Sequence, residues 1–196
     1  MVLDTDYDVP SWSQIYRLLL RQAKQIRISG FSPEIIIGIC RGGWIPARIL
    51  SDVLNNSNLA NLRVESYNGI ENATKPILTQ PVSVEVKNKK VLVVDEVADS
   101  GKTLQLIIKY LQEQGASEIK IACLYYKPNC TIKPDFFEKK TDNWIIFPWE
   151  LREVLQEIYL QNKNNIVVLQ KQIEKLTIAG VSKIFIKMFL NSQIEL

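Results

Sequence analysis

Residues 91–104 read V-L-V-V-D-E-V-A-D-S-G-K-T-L. The run 91–95 is short, apolar and rich in valine, which predicts a buried strand. It delivers two carboxylates, Asp95 and Glu96, at its carboxyl end. Asp99-Ser100-Gly101-Lys102-Thr103 then forms a tight turn, and 102–114 has helical spacing with Gly115 as its stop. Backbone N–H groups in such a turn, backed by a helix N-terminus, make a site for a phosphate dianion. Gly101 lets the backbone approach closely, and the Ser100 and Thr103 hydroxyls can donate to phosphate oxygens.

The same pattern spreads outward along the chain. Ser11 and Gln14 form a capping box ahead of a helix over 12–28, with Gly30 as its stop. Residues 35–39 (I-I-I-G-I) are a buried strand, followed by Gly42-Gly43 and a helix over 44–54 with Pro46 in its first turn. Strands follow at 62–66 and 119–126, and 67–81 reads as a long loop or loose hairpin. Strand and helix alternate, which predicts an α/β fold with a doubly wound, mainly parallel sheet. The last part differs: after Pro148, helices are expected over 150–162, 165–178 and 182–191. The expected organisation is a domain over 1–150 and a helical C-terminal extension over 151–196, packed on the core or on a dimer partner.

Composition narrows the chemistry. The 196 residues are 46% apolar, enough for a proper core, and the net charge of +3 is too mild to argue for nucleic acid. No apolar run approaches the roughly 20 residues of a membrane span, and the N-terminus lacks a signal-peptide layout. A soluble, cytoplasmic protein is expected. The three cysteines suit neither zinc nor a disulfide framework. Cys40 and Cys123 read as small apolar core residues. Histidine is absent, which excludes Ser-His and Cys-His mechanisms and any His-ligated metal. Acid–base work falls to Asp, Glu, Lys or Tyr.

The Gly-Lys-Thr at 101–103 also ends a nucleotide-hydrolase P-loop. The first glycine of that motif belongs at position 96, which is a glutamate here. A carboxylate there would oppose nucleotide phosphates. The whole run instead resembles the phosphoribosyl-pyrophosphate signature of type I phosphoribosyltransferases. The resemblance implies that Asp95 and Glu96 bind the ribose hydroxyls, directly or through water at a magnesium ion, and that Ala98, Asp99, Ser100, Gly101, Lys102 and Thr103 bind the 5-phosphate.

Other segments extend the likeness to about residues 12–150, in the 6-oxopurine (hypoxanthine/xanthine-guanine) branch. Cys40-Arg41-Gly42-Gly43 resembles the family's pyrophosphate loop, and the resemblance implies a cis peptide at Cys40–Arg41. Ser66-Tyr67 resembles the pair that opens the flexible hood of purine members, which shields an oxocarbenium-like transition state from water. Lys127, after Leu124-Tyr125-Tyr126, matches the lysine that donates to the exocyclic oxygen of a 6-oxopurine. Trp144-Ile145-Ile146-Phe147-Pro148-Trp149-Glu150 resembles the base-binding segment of the xanthine-guanine branch, with Trp144 stacking on the purine and the Ile145 backbone at its edge. A flat apolar wall beside one cationic donor is a good base site. Phe147 and Trp149 read as core.

The resemblance implies a purine-salvage glycosyltransferase that binds nucleotide, uses phosphoribosyl pyrophosphate and a purine base, needs Mg2+, and forms a homodimer without nucleic-acid or membrane partners. Asp99 is the implied proton acceptor. Ile146 stands where a xanthine-using relative carries an acidic group, which favours hypoxanthine and guanine. Lys127 disfavours adenine, whose exocyclic amine is itself a donor. Two other readings stay open: a phosphoribosyl-pyrophosphate-sensing regulator of the same fold, and a transferase for another nucleobase such as a pyrimidine. The tail carries six Lys/Arg against four Asp/Glu, with no helix-turn-helix punctuation.

Overall fold

A computed structural model describes residues 6–68 and 74–194. In chain order the elements are β1 (Tyr7–Asp8), α1 (Trp12–Ile28), β2 (Ile35–Cys40), α2 (Trp44–Val53), β3 (Leu59–Asn68), β4 (Thr74–Gln80) and β5 (Lys90–Ala98). After these come α3 (Lys102–Glu113), β6 (Glu118–Tyr126), β7 (Phe136–Lys140), β8 (Trp144–Ile145), α4 (Leu151–Asn162), α5 (Ile166–Ala179) and α6 (Lys183–Ile194). They divide into two compact units, Ile15–Asp142 and Met1–Gln14 with Asn143–Leu196.

The unit Ile15–Asp142 holds a six-stranded sheet in the order β4-β3-β2-β5-β6-β7. All neighbours are parallel except β3 and β4. Ile35, Ile36, Ile37 and Ile39 of β2 are all buried, so both sheet faces are covered, as in doubly wound folds. On one face Ile35, Ile37, Val91, Val93 and Ile121 pack with Leu104, Ile107 and Leu111 of α3. From Ile15 on, α1 buries Leu18, Leu19, Gln22, Ala23 and Ile26, one helical stripe. Gln22 serves as a polar clamp: its Nε2 donates to Cys123 O at 2.8 Å and Phe136 O at 3.3 Å, tying β6 to β7.

Three details go beyond the sequence reading. The stretch 67–81 is the hairpin of its two alternatives: β3 runs to Asn68 and pairs antiparallel with β4, while residues 69–73 lie outside the described part. Pro76 is tolerated because β4 is an edge strand. The strand β7 was not expected. Its F-F-E-K-K sequence lacks alternation, and the charges suit an edge strand that must not pair further. Finally, β5 runs on to Ala98, so Asp95 and Glu96 lie within the strand.

In the other unit, β1 and β8 pair in parallel, Tyr7 with Trp144 and Asp8 with Ile145. The capping box forms as expected: Ser11 N–H donates to Gln14 Oε1 at 2.7 Å, and Gln14 N–H to Ser11 Oγ at 3.3 Å. The three C-terminal helices bury Val154, Leu155, Ile158, Leu176, Ile186 and Phe189 with Ile146, and Tyr7 and Val9 pack against that cluster. Asn165 caps α5 by accepting from Val168 N–H, and Gly180 ends it with φ of 114°. Tyr7 Oη donates to the buried Gln172 Oε1 at 3.1 Å. Phe147 stacks on Trp149 with ring centroids 4.8 Å apart. No described helix is long and apolar enough to cross a membrane.

Candidate active site

The sheet order changes direction between β2 and β5, because chain connections from these neighbours leave toward opposite edges. Ligands of open α/β sheets bind at such a switch point, outside the carboxyl ends of the strands. The ladder register shows the crevice. Pairing between β2 and β5 ends at Gly38 and Val94. Pairing between β5 and β6 continues to Ala98 and Tyr126. Asp95 and Glu96 thus lie just past the point where β5 loses β2 as a neighbour.

Two loops meet there. The Cys40–Arg41 peptide bond is cis, as the resemblance implied. Gly42 leaves no room for a side chain, since a Cβ would fall on the Glu96 carboxylate. A Cβ on Gly43 would lie 2.6 Å from Val94 O and 2.8 Å from Asp95 Cα. Each glycine therefore lets the 40–43 loop rest directly on β5. The second loop, Asp99–Thr103, turns at Gly101 with φ of 86°, a left-handed conformation. Gly43 is the N-cap of α2 and Gly101 the N-cap of α3, so neither cap residue brings a side chain of its own. At α3 the Ser100 hydroxyl accepts from Lys102 N–H at 3.4 Å, and a helix N-terminus opened by glycine is an arrangement suited to phosphate.

The carboxylates are unequal. Asp95 Oδ1 accepts from Glu96 N–H at 3.0 Å. Burial pushes the Asp95 carboxyl well above the usual carboxylate range, and the adjacent Glu96 adds to this by its charge and a side-chain hydrogen bond. Glu96 Oε2 is buried and has no hydrogen-bond partner among the described residues. A buried oxygen in that condition invites a donor or a cation from a ligand.

The chain matches the family described as "Phosphoribosyl transferase domain" over residues 11–156. It belongs to that family. The xanthine-guanine phosphoribosyltransferase of Cereibacter sphaeroides is 32% identical over 149 residues, which cover 72% of this chain and 85% of the relative. The crystal structure of a purine phosphoribosyltransferase from Pyrococcus horikoshii is 40% identical with a TM-score of 0.67, covering 74% of this chain and 93% of that one. The Helicobacter pylori xanthine-guanine-hypoxanthine phosphoribosyltransferase is 27% identical with a TM-score of 0.65, covering 77% and 98%. The family match ends inside α4, so α5 and α6 lie beyond it.

Within this phosphoribosyltransferase fold, Ala98 is buried, Asp99, Ser100 and Lys102 are exposed, and Thr103 is half-buried. Lys127 follows β6, and its N–H donates to Ala98 O at 2.9 Å. That bond fixes the Lys127 backbone beside the start of the Asp99–Thr103 loop. Ser66 and Tyr67 lie in β3, opposite Pro76 and Lys75 of β4. In the other unit, Trp144 is 37% exposed and Ile145 is buried. Trp144 there lines a narrow pocket with Tyr7, Val154 and Ile158. Cys123 is buried as expected, but Cys40, the last residue of β2, is only partly so, because it lies past the end of the β2–β5 pairing at Gly38.

Sequence reasoning missed Thr131. Its N–H and Oγ1 both donate to Ser100 O, at 3.2 and 3.0 Å. Gln105 Nε2 donates to Thr131 Oγ1 at 3.0 Å. A Cβ on Gly101 would lie 2.5 Å from that oxygen. Thr131 therefore braces the Asp99–Thr103 loop. No motif marks it, since a lone threonine in a turn carries no periodic signal.

Proposed function

We propose that the chain transfers ribose 5-phosphate from phosphoribosyl pyrophosphate to a ring nitrogen of a 6-oxopurine. The products are a nucleoside monophosphate and pyrophosphate. The observation that carries this reading is the shared floor at the switch point, where Gly42 rests on Glu96 and two helix N-termini that open on glycine flank one pair of carboxylates. Two phosphate cradles on either side of two ribose-binding acids suit a sugar with phosphate at both ends.

In this reading the backbone and hydroxyls of Ala98–Thr103 hold the 5-phosphate. Asp95 and Glu96 hold the ribose hydroxyls, and Cys40–Gly43 holds the pyrophosphate. The bond from the anomeric carbon to pyrophosphate breaks, a bond from that carbon to the base nitrogen forms, and Asp99 accepts the nitrogen's proton. Lys127 donates to the 6-oxo oxygen and offsets charge building on the base. Trp144 and Ile145 keep the purine contacts that the resemblance gives them. Ser66 and Tyr67 begin the covering hairpin. Positioning and electrostatics supply most of the rate.

Magnesium fits the acids: both are hard oxygen donors, and Glu96 Oε2 is buried with no partner among the described residues. When bound, the ion offsets negative charge on the departing pyrophosphate. Asp95 and Glu96 would hold it, directly or through water.

Residues 1–150 are assigned to catalysis and the helices of 151–196 to an accessory role. A homodimer belongs to the proposal, supported by exposed Ile166, Val167, Ile178, Ile184 and Met188 on α5 and α6. Three free thiols suit a cytoplasmic setting. The reaction is tested with phosphoribosyl pyrophosphate, magnesium and a panel of hypoxanthine, guanine, xanthine, adenine, uracil and orotate. Turnover should be confined to the 6-oxopurines. Turnover of a pyrimidine instead, or tight nucleic-acid binding with no turnover, would overturn the reading.

A further inference from the structure

A cleft of 520 Å³ opens beside the 40–43 loop, lined by Cys40, Arg41, Arg63, Glu65 and Thr79 among others. That volume is in the range of small-molecule sites, about 300–1,000 Å³. Arg41 belongs to the loop already assigned to pyrophosphate. Arg63 belongs to β3 and carried no role in the sequence. The ladder sets it directly opposite Cys40, the residue before the cis bond. On its other side the pairing with β4 shifts register between Arg63 and Val64. Such bulges commonly re-aim a side chain next to an active site. The Arg63 guanidinium is close enough to Cys40 to act on its thiol: burial pushes that thiol up, and the Arg63 charge pulls it back.

Arg63 already has a partner. Its Nη2 lies 2.6 Å from Glu65 Oε1, and the two side chains are 47% and 51% exposed. An ion pair so exposed is weakly held and screened by salt. A pyrophosphate group carries more charge than one carboxylate, and a guanidinium binds phosphate in a two-pronged fashion. Exchange of Glu65 for phosphate is therefore favourable at this place.

We infer that Arg63 is a second cationic contact for the pyrophosphate group, held between turnovers by Glu65. The inference rests on the proposed reaction. Arg63 adds a side-chain charge to a loop that otherwise offers Arg41 and a helix N-terminus. Glu65 acts as an internal competitor, which releases the product by taking Arg63 back.

The test compares wild type with Arg63→Gln and Glu65→Gln. Binding of inorganic pyrophosphate is read by calorimetry in magnesium buffer, and KM is measured for phosphoribosyl pyrophosphate and for guanine. Arg63→Gln should weaken pyrophosphate binding by about 10-fold or more, the loss expected for one charge-assisted contact. Glu65→Gln should leave it as tight or tighten it. KM for guanine should not move with either. A purely structural role for the ion pair would damage both variants alike. Pyrophosphate affinity within about twofold of wild type for Arg63→Gln, or a parallel loss in Glu65→Gln, overturns the inference. Wild-type turnover separates the two claims. Turnover with Arg63-independent pyrophosphate binding sinks the inference alone, whereas Arg63-dependent binding without turnover upholds the contact and sinks the proposed reaction.

Discussion

Gly42 and Glu96 depend on each other, although nothing in the local sequence links them. The place of a Gly42 side chain is taken by the Glu96 carboxylate. Gly42→Ala should push that carboxylate out of the crevice. A misplacement of about 1 Å can cost about 100-fold in rate, so kcat/KM for phosphoribosyl pyrophosphate should fall by about that factor while the fold, read by circular dichroism, survives. Thr131→Val keeps the shape of the brace and removes the Oγ1 bond to Ser100 O. One such bond is worth about 1 kcal/mol, so KM for phosphoribosyl pyrophosphate should rise about 5-fold, with KM for the base unchanged. Lys127→Gln should reverse that pattern, harming the base more than phosphoribosyl pyrophosphate. At this scale the sequence was legible where chemistry is local. Asp95, Glu96 and Gly101 stand in one run. The Gly42–Glu96 contact and the Thr131 brace were illegible because each joins segments far apart in the chain.

Among the elements, β2 and β5 carry the site and were readable, because buried parallel strands are uninterrupted apolar runs. The edge strands were harder. Charges and a proline, which discourage further pairing, also erase the alternation by which a strand is recognised. In β7, Glu138 shows the cost of such a position. Its side chain is 2% exposed and reaches Arg21 Nη2 at 2.8 Å, yet Oε1 has no partner among the described residues. Burial pushes the Glu138 carboxyl up, only partly offset by Arg21. The folded state therefore holds this proton more tightly than the unfolded chain does. Its effect is a loss of stability that is absent below the ordinary glutamate range and appears as pH rises through the raised folded value. Glu138→Gln should raise Tm at pH 7 by about 2–4 °C, the shift that ~1 kcal/mol gives a chain of this size. The gain should vanish near pH 4. A lower Tm at pH 7 would mean that the ion pair outweighs the burial.

For the whole molecule, the family match ends within α4, and the two later helices share a buried cluster with α4 and Ile146. Helical spacing announced these helices in the sequence. It did not announce that Ile146, Tyr7 and Val9 join them, because the β1–β8 pairing is two residues long on each side. Leu176 is 1% exposed at the centre of that cluster. Leu176→Ala should destabilise the unit by about 2–5 kcal/mol, seen as a lower melting midpoint. The reaction is measured most directly as the amount of nucleoside monophosphate and pyrophosphate formed from phosphoribosyl pyrophosphate with guanine or hypoxanthine, against adenine. Equal amounts of the two products with a 6-oxopurine, and none with adenine, are predicted. Nucleotide formed from adenine but not from guanine or hypoxanthine, or no nucleotide from any base, would contradict it.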